Sequence, residues 1–321
     1  MKIYDVAFLG MGASALATAK LKYKGTSISL IGIDKNYHSK RNNFFAFWLT
    51  DWMKDFDSLA QKKWFCWNFY LTNNHLKHET KDLPYCTIRY QDWKNYCLKG
   101  LENLSIKEFN VQSITNLKKY YEIKLENGEE IFAKKIYDSR TPKLENEKVK
   151  QHFFGYLIET KQMINSNSVT LMDFRVEQKM GLHFMYCLPI DENRMLVEST
   201  VFSSEIQEDE WYQKQILEYI ETKLNLSEYK IVDEEKGALP MYDIENKSSE
   251  NYINIGSRGG ATKISTGYAF SFFLKNIMLN FENINKAHHS YFDKWMDKVF
   301  VNYLKNNSGT EKVFINMAYS L

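Results

Sequence analysis

Three groups of residues have types and spacings that can carry chemistry. The first is Gly10-x-Gly12-x-x-Ala15, with Asp34 following 24 residues after Gly10. Gly10 permits a tight turn, Gly12 lets the backbone approach a pyrophosphate, and a small residue at Ala15 lets a helix pack closely on a strand. A helix opening at this turn would aim its N–H groups and its positive dipole end at the phosphates. Asp34 would accept hydrogen bonds from a ribose diol, and its charge argues against a 2′-phosphate, so an adenine dinucleotide such as FAD or NAD is expected. The second is Glu198, which follows the apolar run Met195-Leu196-Val197. Facing a greasy pocket, its pKa would be raised by desolvation, making it a proton donor at neutral pH; the alternative is a glutamate on the solvent face of a half-buried strand. The third is Asp173 and Arg175 in LMDFR, two residues apart on a strand-like run and so on one side of it, as a structural ion pair or a catalytic one. A further loop with Gly256, Gly259, Gly260 and Gly267 opens a helix and suits a second part of the same cofactor. His75 and His78 have HxxH spacing in a charged, loop-like stretch without a cysteine or carboxylate at a matching distance. Surface histidines are expected there, and no metal.

The elements that must position these residues can be read from periodicity. Ile3 to Leu9 is a short buried strand, Leu16 to Tyr23 a helix and Ser27 to Ile33 a second strand, which together make a βαβ unit. Tyr85 to Leu101 reads as a short strand entering an amphipathic helix. From Ser105 to Asp138 the pattern alternates, and Asn127-Gly128 marks a hairpin in a three-stranded ribbon that returns to the main sheet. Thr141 to Lys150 is polar, contains Pro142 and suits a boundary. Phe153–Thr160, Ser168–Arg175, Leu182–Leu188 and Met195–Phe202 are four strand-like runs suited to an antiparallel sheet formed mainly by residues 150–205. Glu208 to Leu226 reads as an amphipathic helix, Tyr252 to Ile255 as a strand, and a helix opens at about Tyr268. The chain is helical and aromatic from about Asn285. The expected fold class is α/β, with a first dinucleotide-binding part over residues 1–145, an antiparallel-sheet substrate domain over 150–240, a second cofactor-binding part over 245–285 and C-terminal helices over 286–321.

Composition narrows the function. The 321 residues carry 42 basic and 40 acidic side chains, a net charge of +2, which offers no footprint for a phosphate backbone, so no nucleic acid partner is expected. No run approaches the roughly 18 to 20 apolar residues of a spanning helix, while peripheral contact with a membrane stays open. Four cysteines without a CxxC pair point to reduced thiols and a cytoplasmic protein. Aromatic residues crowd between Phe44 and Tyr70, with Trp93 beyond, as an apolar cavity for a hydrophobic small molecule or as an aromatic-rich core.

Eight segments occur in one order: DVAFLGMGASALA, RNNFFAFW, YDSR (Tyr137 to Arg140), QHFFGYLIET (Gln151 to Thr160), LMDFR, FMYCLPIDENRMLVEST (Phe184 to Thr200), GALPM (Gly237 to Met241) and IGSRGGATKISTGYAF (Ile255 to Phe270). In this the chain resembles the FAD-dependent lycopene cyclase family, within the two-dinucleotide-binding-domain flavoproteins. The resemblance implies a Rossmann-like FAD-binding domain with an inserted antiparallel substrate sheet. It implies that Gly10, Gly12, Ala15 and Asp34 bind the ADP half of FAD, that Ala13 and Arg89 also belong to the cofactor site, and that Gly259, Gly260, Thr262 and Gly267 face the flavin end. It further implies a redox-neutral ring closure on a linear polyene with FAD in its reduced form, in which Glu198 is the acid; Asp173 and Arg175, from their place on one side of a strand, are the further catalytic candidates. The alternative on the same scaffold is an FAD-dependent monooxygenase or other flavin redox enzyme for a smaller hydrophobic substrate, with NAD(P)H as electron donor. Arg258, where the family has a small residue, would change the flavin potential or bind an anionic group.

Overall fold

A computed structural model describes residues 2–39, 43–279, 288–307 and 309–318. The end of the basic loop after Asn36 and the start of the C-terminal segment expected from Asn285 lie outside these residues.

Ile3–Leu9 is a strand whose last four residues are buried, as its apolar run requires. It pairs in parallel with Leu30–Ile33 on one side and Glu130–Asp138 on the other. Ala13–Tyr23 is the crossover helix, and Ala15, Leu16 and Ala19 are fully buried, small enough on average to bring the helix close to the sheet. Leu104–Lys107 extends the parallel core beyond Leu30–Ile33, and Tyr252–Asn254 pairs in parallel with the last residues of Glu130–Asp138. The other half of that long strand pairs antiparallel with Tyr121–Leu125, which pairs with Val111–Asn116. The turn falls at Asn127-Gly128, where Gly128 takes a φ of 85°, open to glycine at little cost. The result is a seven-stranded mixed sheet with a parallel core and an antiparallel ribbon at one edge.

The second sheet also has seven strands, in the spatial order Tyr229–Pro240, Lys150–Thr160, Arg194–Ser203, Leu182–Pro189, Val169–Asp173, Cys66–Leu71 and Asn74–Glu79. It therefore extends well beyond residues 150–205, and one pair, Val169–Asp173 with Cys66–Leu71, is parallel. Its two edge strands, like Cys66–Leu71, lie outside the strand-like runs read from periodicity. Tyr229–Pro240 carries DEEK and Asn74–Glu79 carries HLKHE, because an edge strand needs no continuous apolar face and is protected by charge. His75 and His78 are thus on a strand rather than a loop, and their odd spacing sends them to opposite faces. No group of three or more metal-binding side chains exists among the described residues.

Helix Asp209–Thr222 covers one face of this sheet, packing Tyr212, Ile216, Tyr219 and Ile220 against Phe154, Met185, Val197 and Val201. The opposite face carries Trp67, Leu157, Leu188 and Leu196 and meets the small sheet of Phe44–Trp48, Tyr85–Arg89 and Lys62–Trp64. That small sheet joins the two large ones. Phe47 and Ile88 pack into the core around helix Ala13–Tyr23, whereas Trp64 and Tyr85 pack on the second sheet. At the C-terminal end, Ser290 and Asp293 form a capping box that starts helix Tyr291–Asn306. No described helix is long and apolar enough to cross a membrane.

Candidate functional site

The first glycine turn is held from three sides. Gly10 has a φ of 77°, and a Cβ there would lie 3.1 Å from Ser139 Oγ and 3.2 Å from the Arg140 backbone nitrogen. Gly12 precedes the first helical turn without a side-chain cap, and a Cβ built on it meets nothing within 4 Å. The first N–H groups of the helix consequently open onto free space, the arrangement an anion requires. Asp34 lies at the end of its strand beside this turn, its Oδ2 accepting from the Met11 N–H at 2.8 Å and its Oδ1 from the Asn36 N–H at 2.9 Å. Helix Tyr90–Leu98 braces the turn from outside. The Tyr90 hydroxyl donates to the Met11 carbonyl at 3.0 Å and the Trp93 indole donates to that of Ala13 at 3.1 Å. Arg89 immediately precedes that helix, with its guanidinium 5.7 Å from the Phe44 ring centroid and its Nε buried without a hydrogen-bond partner. A buried cationic donor left unpaired is costly, and an anionic cofactor against it would remove the cost. The residues of this turn therefore fit a pyrophosphate.

The second glycine loop packs against the same helix. Gly256, at a φ of 61°, sits so close to Ser14 that a Cβ would come within 2.4 Å of its hydroxyl. Gly260 takes a φ of 82°, and a Cβ there meets nothing within 4 Å. Gly259, Gly260 and Thr262 line a cleft of about 280 Å³ together with Ser14 and Thr18. Glu198 is not on its wall. Gly267 leaves that cleft and crosses strand Lys150–Thr160, where a Cβ would overlap Gln151 Oε1, itself buried and unpartnered. Arg258 does not stand as an isolated cation: its Nε donates to the Arg140 carbonyl at 2.9 Å and lies 3.4 Å from Asp138, which Arg140 grips with a two-pronged contact.

On the sheet face opposite helix Asp209–Thr222, strand pairing sets four residues in one row. Glu235 pairs with Gly155, Gly155 with Glu198, and Glu198 with Tyr186. Paired residues point to the same side of a sheet, so both carboxyl groups project on one face with only a glycine between them. A Cβ on Gly155 would lie 3.3 Å from Glu198 Cβ and 3.4 Å from Glu235 Cγ. Glu198 is 7% exposed, accepts a short hydrogen bond from the Thr200 hydroxyl, and is hydrogen-bonded to Glu235. Glu235 is partly buried and accepts from the Phe44 N–H at 3.3 Å. Burial lifts Glu198 to about 7 from the ordinary 4.5, against the pull of Thr200 and Glu235. Burial and then the neighbouring charge of Glu198 push Glu235 well above the carboxylate range. A proton is thus held between the two groups at neutral pH.

Around this row stands an aromatic wall. The Tyr85 hydroxyl is 2.8 Å from that of Tyr186 and 3.0 Å from that of Tyr268, the residue after Gly267. Burial raises the pKa of all three, which keeps them neutral phenols. Trp48 adds its ring at 4.7 Å from Tyr85 and 4.4 Å from Trp67. The aromatic segment is therefore core and site wall at once: Phe47 and Phe56 are buried in packing, whereas Trp48 and its neighbours crowd the carboxyl face.

Asp173 and Arg175 stand apart from this site. Asp173 pairs in register with Met185, and Met185 with Ser199, so its side chain faces helix Asp209–Thr222 and the sheet separates it from Glu198. There it is fully buried and accepts from Arg175 N, Nε and Nη2 and from the Tyr219 hydroxyl. With its lone pairs so filled, the pair is an anchor for the helix, and of the three residues expected as a catalytic set only Glu198 lies on the carboxyl face. Sequence reasoning passed over Glu235, Gly155 and the three tyrosines. One signal was present, since a lone glycine inside the strand-like run HFFGYLIET marks a close approach by a neighbour.

Comparison with known proteins bears on the fold and the family. A curated relative, the chloroplastic neoxanthin synthase of Solanum tuberosum, is 22% identical over 298 residues, covering 83% of this chain. The chain spans 57% of that relative's length. Among solved structures, a geranylgeranyl bacteriochlorophyll reductase-like protein from Thermoplasma acidophilum superposes with a TM-score of 0.67 at 10% identity, over 94% of this chain and 84% of that one. The flavin-dependent brominase Bmp2 follows at 0.58 and 13% identity, over 94% and 84%. A variant of the halogenase PltM in complex with FAD gives 0.59 at 10% identity, over 94% and 70%. These neighbours share the mixed α/β fold. Residues 5–295, which include both glycine loops and the carboxyl row, match the lycopene cyclase protein family, and the chain belongs to that family.

Proposed function

We propose that this chain is an FAD-dependent enzyme of carotenoid chemistry that closes a ring at the end of a linear, lycopene-like polyene by acid-initiated, redox-neutral carbocation chemistry. The observation that carries this reading is the buried, proton-holding carboxyl face of Glu198, walled by neutral tyrosines and tryptophans, next to the loop that ends in Gly267 and Tyr268. In this reading the N–H groups after Gly12 and the unpaired Arg89 Nε hold the pyrophosphate, Asp34 holds the ribose, and Gly260 allows the flavin end to approach the backbone. Reduced FAD, when bound, supplies an electron-rich ring system that favours a nearby positive charge. The chain's own residues do the rest. Glu198, which desolvation lets carry a proton near neutral pH, passes a proton to the terminal alkene. The π faces of Tyr186, Tyr268 and Trp48 lower the energy of the cation. Their apolar surroundings keep out water, which would otherwise trap the cation as an alcohol.

The test is an anaerobic incubation of purified protein, FAD reduced by light, and lycopene in liposomes, with products separated by chromatography beside Glu198→Gln. Cyclised product that requires both reduced FAD and Glu198 is the expected result. Lycopene returned unchanged by protein that binds FAD stoichiometrically would refute the carotene assignment.

A further inference from the structure

The geometry points to Glu235 as a second catalytic residue: Glu198 and Glu235 share one proton across Gly155, and Glu235 takes up the proton that the ring releases. This rests on the ring-closure reading and adds to it the residue that completes the proton cycle.

The pairing register carries the argument. Neighbouring strands lie about 4.8 Å apart, so residues two strands apart are about 10 Å apart at their backbones. Carboxyl groups meet over that distance only if the strand between them contributes no side chain. Gly155 meets this requirement, with both glutamates within 3.4 Å of where its Cβ would stand. The two environments differ. Glu198 accepts from Thr200 and from Glu235, two contacts that favour its anion, whereas Glu235 has one backbone contact, the Phe44 N–H, and the nearby negative charge of Asp233. The remaining groups facing the pair are Tyr186 and Tyr268, both neutral, and Phe44, over whose ring Arg89 lies. Two like charges at this separation repel strongly, and a single proton between them removes the repulsion.

The reaction balances on this pair. The shared proton rests on Glu235, passes to Glu198 along their hydrogen bond, and from Glu198 forms a C–H bond with the π electrons of the terminal alkene, leaving a tertiary cation. The π electrons of a second alkene form the ring C–C bond, which moves the cation into the ring. A C–H bond next to that cation then breaks, its electron pair becomes the ring double bond, and its proton passes to the Glu235 carboxylate. The pair ends with the single proton it began with. With the released proton on Glu235 the starting state is restored, and no electrons are gained or lost.

Infrared titration of the full chain labelled with carboxyl-¹³C glutamate tests this, with and without FAD, for wild type, Glu198→Gln, Glu235→Gln and Gly155→Ala. A shared proton gives wild type two separated steps, with the upper midpoint more than about one pH unit above the single midpoint of either glutamine variant. Gly155→Ala narrows the separation. Equal midpoints for Glu198 in wild type and Glu235→Gln would overturn the proposal, whatever the activity. Cyclisation should fall by a factor of about 10² or more in Glu235→Gln, the range of a lost acid–base group, and Glu235→Asp should recover part of it. Separated steps in a protein that leaves lycopene unchanged would uphold the shared proton, refute the ring-closure role of Glu235 and reject the cyclase reading. Full cyclisation by Glu235→Gln would uphold the cyclase and overturn Glu235 as the proton acceptor.

Discussion

Asp173→Asn separates a structural role from a catalytic one. The carboxylate is fully buried and takes a two-pronged contact from Arg175, 2.9 Å at Nε and 2.6 Å at Nη2, plus the Tyr219 hydroxyl at 2.7 Å. The amide is nearly isosteric, but one of its two ends becomes an NH₂ facing donors, and the Arg175 charge loses its counter-ion. Breaking one partner of a buried ion pair costs about 3–5 kcal/mol. The Arg175 side chain keeps 31% of its exposure, so water recovers part of the loss and the low end, about 3 kcal/mol, applies. For a chain of 321 residues that lowers the melting temperature by about 4–5 °C. The loss should be reproduced by Tyr219→Phe only in small part, since that change removes one of four contacts. The assay is calorimetric unfolding together with flavin affinity and product formation, measured well below the transition. A variant that melts with wild type but has lost product formation would refute the anchoring argument and return Asp173 to the catalytic set.

Two other perturbations address the cofactor turn and the carboxyl face. Arg89→Ala removes a buried donor that has no internal hydrogen bond, so flavin affinity should fall by a factor of about 10 to 100, the worth of one charge-assisted hydrogen bond, while apoprotein stability is preserved. Unchanged affinity in a flavin fluorescence titration would exclude Arg89 from the site. Stability should also carry the mark of Glu198. Its folded pKa, about 7, lies above the ordinary 4.5, so the native state binds the extra proton and stability falls as pH rises between those values. The shift is worth roughly 3 kcal/mol. Burial pushes His183 and His152 down to about 4, which has the opposite sign and costs stability as pH falls below the ordinary 6.5. Urea unfolding of wild type and Glu198→Gln on both sides of this window isolates the glutamate, because the histidines are common to both. The variant should gain on wild type as pH rises, and a difference that is constant with pH would show that Glu198 is not desolvated.

Much of the cofactor side was legible because its logic is local. Gly10, Gly12, Ala15 and Asp34 lie within one βαβ unit, and each type answers to a backbone conformation or a nearby partner, as the 2.8 Å bond from Met11 to Asp34 illustrates. The helix after Arg89 was equally plain, because Trp93 and Cys97 recur at helical spacing and both are buried. The carboxyl face was only half legible. Glu198 stands out in an apolar run, but Glu235 sits among Asp233, Glu234 and Lys236 on an edge strand and reads as solvated. What distinguishes Glu235 is its partner two strands away, and pairing between residues so distant in sequence leaves no trace in local periodicity. Asp173 misled for the same reason. Its strand was recognisable, but the face it points to depends on its register with Met185.

Register also explains why the helix-facing side of this sheet contains so many buried polar contacts. Ser199, next to Glu198 in the chain, points the other way and lies 2.9 Å from His183 Nε2, whose Nδ1 is 2.8 Å from the Glu177 carbonyl. On the neighbouring strand His152 lies 2.9 Å from Ser203 Oγ and 2.5 Å from the Tyr212 hydroxyl of the covering helix. A purely apolar face would tolerate a slip of one residue with modest loss, because Met195, Leu196 and Val197 are all apolar. Such a slip turns every side chain to the opposite face. It would place Glu198 beneath the helix and take Ser199 from His183 and Ser203 from His152, each lost contact costing about 1–3 kcal/mol. The histidine contacts therefore make the slipped register expensive, and they hold Glu198 opposite Gly155, where Glu235 can reach it.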